Sequence, residues 1–197
     1  MKALLKLSGF IDRISEFVGK WVAWLVLAAV IVSTANAVIR KVFNMSSNGF
    51  LEIQWYFFAA VFLLAAGYTL LRNEHVKIDV FLHMYGKRKQ IWIDIIGIVF
   101  FLFPFVVAVV VLSWPLFVNA LLTGEMSQNA GGLIRWPVFM LLPAGFTLLG
   151  IQGISELIKR FAFLRGLIDD PTRKKQQQTA EQELAEAILA QTRGAQK

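Results

Sequence analysis

Cysteine is missing from the sequence altogether, and with it go disulfides, thiolate metal sites and cysteine nucleophiles. Histidine occurs only twice, at His75 and His83. Both fall outside the long apolar runs, so haem ligation by histidines across a helix bundle has no ligands to use. Charge is scarce: 17% of the 197 residues are Asp, Glu, Lys or Arg, against roughly a quarter in soluble domains. No glycine-rich phosphate loop or nucleophile elbow appears, nor does a paired-carboxylate arrangement.

What fills the chain instead is hydrocarbon. Hydrophobic residues make up 57% and the mean hydropathy is +0.60. Four runs, at about 21–39, 50–71, 91–112 and 137–158, are long enough to cross a bilayer as helices. A helix satisfies its own backbone groups, which lipid requires. The few charges within the runs (Glu52, Asp94, Glu156) lie near run ends, and aromatics such as Trp21, Trp55, Trp92 and Trp136 cluster there too, as in interfacial belts. Run centres are Leu, Val, Ile, Phe, Ala and Gly. A transport pathway or proton relay normally places ionisable groups at that depth. Ala65, Ala66, Gly67, Gly145 and Gly150 read as close helix-packing positions. Pro104 lies mid-run and is a candidate kink.

Lysine and arginine set the expected orientation. Seventeen of the twenty lie in the N-terminal segment, the second loop and the tail; only Arg40, Lys41 and Arg135 lie on the opposite side. The positive-inside rule puts both termini in the cytoplasm. This bias accounts for the net charge of +7 without a nucleic-acid partner. A cleaved signal peptide ending near the Ala-x-Ala of "STANA", residues 33–37, is the rival reading. It is disfavoured because twenty residues precede the run and include Asp12 and Glu16.

Residues 1–20 place Leu4, Leu7, Ile11, Ile14 and Val18 at three- and four-residue steps, with Lys2, Lys6, Asp12, Arg13, Glu16 and Lys20 on the other face. The pattern predicts an amphipathic helix in the cytoplasmic interface before the chain turns into the bilayer. A plain extension of the first span is the alternative. Residues 21–165 are expected to form the four-helix transmembrane domain. Residues 166–197 form a polar, Gln-rich cytoplasmic tail, in which Pro171 stops any continuation of the last span. Helical, disordered and partner-docking states of the tail stay open. In the second loop, Glu74, His75, Asp79 and His83 match no recognised metal-ligand spacing. A chain without its own catalytic or translocating groups reads as one subunit of something larger.

The stretch "RKVFNMSSNGFLEIQWYFFAAVFLLAAGYTLLRNEHVKIDVF", residues 40–81, sharpens this. Its Arg40, Phe43, Asn44, Ser46 and Glu52 are followed by Ala65, Ala66 and Gly67, then by Asn73, Glu74, His75, Val76 and Asp79. It resembles the small membrane subunit (DctQ-type) of tripartite ATP-independent periplasmic (TRAP) transporters. Residues 129–160 are similar to that family's last loop and span, and the resemblance covers roughly 10–165.

The resemblance implies an all-α membrane protein of four transmembrane helices in a bacterial inner membrane. It implies a static scaffold, not an enzyme. The partners would be a large DctM-type elevator subunit carrying a sodium-coupled site for organic acids and a periplasmic substrate-binding protein. Lipids would surround the assembly, no cofactor would sit in this chain, and sodium would belong to the large subunit. The substrate itself is beyond reach of this subunit's sequence.

Candidate docking residues in the two outer loops are Arg40, Lys41, Asn44, Ser46, Ser47 and Asn48, then Glu125, Gln128, Asn129 and Arg135. Glu52 and Gln54 are candidates for a structural ion pair, with Arg40 or Arg135, or for a contact to the large subunit. Arg72, Asn73, Glu74, His75 and Asp79 form a cytoplasmic loop signature. A stand-alone small transporter would need a polar pathway, and a redox-enzyme anchor would need histidines within the spans.

Overall fold

The structure, a computed structural model, describes residues 1–44, 47–73 and 86–169. Four long helices account for most of them: α1 (Lys2–Phe43), α2 (Asn48–Leu71), α3 (Lys87–Thr123) and α4 (Trp136–Leu164). All four are long and apolar enough to cross a membrane. Glu74, His75, Asp79 and His83 lie outside the described residues, as do Ser46 and the tail from residue 170.

Local chemistry explains where the helices stop. Asn44 ends α1 in the left-handed conformation at φ 52°, which asparagine tolerates better than most residues. Ser47 precedes α2 with extended dihedrals, and Gly124 closes α3 at φ 61°. In α3 the residues Ile98–Leu102 form a π-helical turn immediately before Pro104. Proline has no N–H, and its ring collides with the carbonyl four residues back, here that of Phe100. The wider turn, closed by Phe103 N–H on the Ile98 carbonyl, accommodates the proline without ending the helix. The kink expected at Pro104 thus takes the form of this turn.

The helix α4 is the hub and packs against α1, α2 and α3. Its approach to α2 depends on glycine: a Cβ on Gly145 would stand 2.6 Å from the Leu63 carbonyl oxygen. Between bilayer helices there is little hydrophobic force, so close backbone approach and dispersion do the holding. On α1 the buried positions Ser8, Ser15, Val22, Ala29 and Asn36 recur every seven residues, the spacing of a coiled-coil seam built from small side chains.

One expectation needs correction. Residues 2–43 are a single unbroken helix of 42 residues, with no turn between an interfacial segment and the first span. At 1.5 Å per residue α1 is about 63 Å long, twice the roughly 30 Å hydrocarbon thickness. Its polar and apolar faces are also disposed differently from the expected pattern. Ser8, Ile11 and Ser15 are buried against the bundle, while Leu4, Leu7, Phe10, Ile14 and Phe17 are exposed. Ser8 and Ser15 turn inward with Ile11 to hydrogen-bond Ser155 and Gln152, and the five exposed apolar side chains are left for a hydrocarbon or protein neighbour.

Candidate functional site at the loop end of the bundle

The α1–α2 and α3–α4 connections share one end of the bundle, and Glu52 organises that end. It sits in the second turn of α2, 5% exposed, where an unpartnered carboxylate would be costly. Its Oε1 accepts from the Ser127 hydroxyl and from Asn129 Nδ2 at 2.7 Å. Its Oε2 accepts the Leu133 backbone amide at 2.6 Å. Three donors from the α3–α4 connection therefore converge on one side chain of α2.

The connection is itself a small hairpin. Met126 and Ile134 form an isolated antiparallel bridge. The Ser127 amide donates to the Leu133 carbonyl at 2.9 Å, and the Arg135 amide to the Glu125 carbonyl at 2.9 Å. Two more bonds tie it to α2: Asn48 Nδ2 to the Ala130 carbonyl at 3.0 Å, and the Tyr56 hydroxyl to the Ile134 carbonyl at 3.0 Å. Arg135 pairs with Glu125 at 2.7 Å, and its guanidinium lies 5.6 Å from the centre of the Phe139 ring. The tip, Gln128 to Gly131, is exposed on a backbone held from below.

These positions revise the roles expected of several residues. The expected ion pair of Glu52 with Arg40 or Arg135 is replaced by hydrogen bonds to the hairpin, because Arg135 is taken by Glu125. Asn129 and Asn48, expected on a docking surface, use their side-chain amides internally. Gln54 is half-buried on α2. Arg40 and Lys41, in the last turn of α1, are exposed, as are Asn44 and Ser47. Ser127, Tyr56 and the Leu133 amide were missed. The cue was available in "SQNAGGL", a turn-rich segment whose donors match a carboxylate as well as an arginine does.

The opposite end carries a second polar cluster, built from residues scattered along the sequence. Asp12 on α1 accepts from Ser155 Oγ at 2.7 Å and from Gln152 Nε2 at 2.9 Å, and pairs with Lys159 at 3.2 Å. Ser15 donates to Gln152 Oε1 at 2.7 Å. Arg160, 2% exposed, joins Asp94 of α3 at 3.2 Å to Glu156 of α4, and Glu156 also meets Lys159. Arg72, from the loop signature, bonds Glu16 at 2.9 Å and lies 5.2 Å from the Tyr68 ring centre. Asn73 follows it at φ 53°. Glu74, His75 and Asp79 are outside the described residues. Among the described residues no group of three His, Cys, Asp or Glu is placed to hold a metal ion.

Four apolar helices whose polar groups serve to fasten helix to helix and loop to helix define an all-α, multi-pass membrane protein. Residues 29–163 match the sequence model of the family described as tripartite ATP-independent periplasmic transporters, DctQ component. The chain belongs to that family. It is a family of transporter components and not of enzymes. No curated protein matches the chain.

Proposed function

We propose that this chain is the fixed membrane scaffold of a sodium-coupled TRAP transporter for organic acids, and that its loop end forms part of the docking surface for the periplasmic substrate-binding protein. Both termini then lie in the cytoplasm, as the lysine and arginine bias requires, and the membrane is the bacterial inner membrane. A large DctM-type subunit is the second partner and carries substrate and sodium.

The observation that carries this reading is the immobilised hairpin. A docking surface gains from being ordered before the partner arrives, because less entropy is lost on binding. The exposed groups left for recognition are the neutral tip at Gln128 to Gly131 and the cations Arg40 and Lys41. With Arg135 neutralised by Glu125, Arg40 and Lys41 carry the uncompensated charge of the described loop end, and they favour an acidic patch on the partner.

Two measurements test the proposal. The tagged chain is expected to co-purify with a large multispan protein. It is also expected to need both that protein and a binding protein to support uptake in vesicles. Uptake by the chain reconstituted alone would overturn the scaffold reading.

A further inference from the structure

The π-helical turn of α3 leaves one backbone group without a donor. In either helical form the Val99 carbonyl would accept from the amide four or five residues on, that of Phe103 or of Pro104. The Phe103 amide goes to the Ile98 carbonyl, and proline has no N–H to give. Among the described residues no side chain donates to it either. Depth makes the gap costly. Val99 lies within the apolar run 91–112, about 12 Å along the helix from Ile91, in a hydrocarbon layer roughly 30 Å thick. No water is available there to take up an unmet carbonyl. Pro115, inside the same helix, removes the donor of the Val111 carbonyl in the same way, but Val111 lies at the end of the run near Trp114, within reach of water.

The surface around the turn is open. Val99 and Phe100 are 38% and 68% exposed, and Ile96 and Val107 are exposed at helical spacing beside them. The packing of α3 on α4 uses other residues: Leu102 lies against Gly153 and Val106 against Gly150. The carbonyl therefore belongs to a side of α3 that the described bundle leaves uncovered.

We infer that a transmembrane helix of a partner protein packs on this side of α3 and donates a hydrogen bond to the Val99 carbonyl from a hydroxyl or carboxamide side chain. Side chains of these kinds join helices within membranes. Lipid chains offer no donor at this depth. Another copy of this chain would bring the mid-span hydroxyl of Thr147, but that hydroxyl is spent on the Pro143 carbonyl at 2.6 Å. The inference rests on the scaffold reading, because it needs a multispan partner.

The test compares the full chain alone, in phosphatidylcholine bilayers, with the complex that co-purifies. Labelling valine carbonyls with 13C and phenylalanine amides with 15N selects the Val–Phe links in solid-state NMR, and Val99→Ile identifies the signal of Val99. Its carbonyl resonance is expected to move downfield in the complex, as it does when a carbonyl gains a hydrogen bond. A resonance that stays in place would overturn the inference and leave the scaffold reading intact. A chain that co-purifies with no multispan protein would overturn both. Pro104→Ala supplies an N–H that closes on the Val99 or Phe100 carbonyl inside the helix. It is expected to leave the lone chain at least as stable and to raise the dissociation constant of the complex in detergent about three- to tenfold. Pro115→Ala is expected to leave that constant as it was. Undiminished affinity in Pro104→Ala, or an equal loss in Pro115→Ala, would also overturn the inference.

Discussion

The Leu133 amide and the Glu52 carboxylate meet at 2.6 Å, joining the last residues before α4 to the second turn of α2. The two residues are far apart in sequence, so the bond ties the α3–α4 connection to α2. It is a charge-assisted bond, stronger than one between neutral groups. It shares the carboxylate with Ser127 and Asn129, which makes the hairpin one cooperative unit.

Glu52→Gln keeps the shape and removes the acceptor. An amide has one acceptor oxygen where the carboxylate uses two, and its NH2 faces groups that are themselves donors. Hydrogen exchange at Leu133 and Ser127 is expected to speed up by roughly an order of magnitude, with exchange in the middle of α2 and α4 unchanged. Unaltered exchange at Leu133 would mean that the hairpin holds itself.

Gly145 and Gly67 offer a matched pair. A Cβ at 145 meets the Leu63 carbonyl oxygen at 2.6 Å, and backbone has nowhere to retreat; at 67 the nearest atom, the Leu148 carbonyl oxygen, is 3.4 Å away. Gly145→Ala is expected to cost about 1–3 kcal/mol, the usual range for overpacking. Gly67→Ala is expected to be near neutral. Thermal unfolding in one detergent compares them, and equal losses would contradict the packing at α2–α4.

Arg160 tests the other end. Its guanidinium is buried between Asp94 and Glu156, and removing one member of a buried ionic group leaves an uncompensated charge. Arg160→Met is expected to lose about 3–5 kcal/mol. Combining it with Glu156→Gln is expected to cost less than the two changes added, by about 1–3 kcal/mol. Strict additivity would show that the two residues do not share the network.

Spans and packing glycines were legible in the sequence because both depend on near neighbours along the chain. Apolar runs fix the first, and small residues at helix spacing fix the second, as Gly145 shows. The exit of α1 from the expected interfacial helix was not legible. A pattern of three- and four-residue steps reports only that two faces differ, and the partner decides which face turns inward. Gln152, Ser155 and Lys159 on α4 bond Ser8, Asp12 and Ser15, so the side of α1 that carries the two serines faces the bundle. Glu52 failed for a similar reason: a carboxylate in an apolar run demands partners, and amides and hydroxyls from residues 127–133 served where an arginine was expected. The π-helical turn had only Pro104 as its cue, and a proline does not specify how a helix adapts to it.

Arg135 and Glu125 decide between docking and internal roles. Their pair is part-exposed, with side chains 39% and 37% accessible, and such a pair contributes little to stability, about 0.2–1 kcal/mol. Reversing Arg135 alone therefore confounds two effects, a lost loop contact and a lost docking charge. The reciprocal exchange, Glu125→Arg with Arg135→Glu, restores the pair while inverting its direction. If Arg135 serves only the hairpin, the double variant is expected to recover uptake lost in Arg135→Glu. Arg40→Glu, which breaks no bond seen in the structure, is expected to raise the concentration of binding protein needed for half-maximal uptake several-fold, chiefly through slower association. It is expected to leave co-purification with the large subunit intact. Uptake that ignores Arg40→Glu would remove Arg40 from the docking surface and leave the neutral tip at Gln128 to Gly131 to do the recognising.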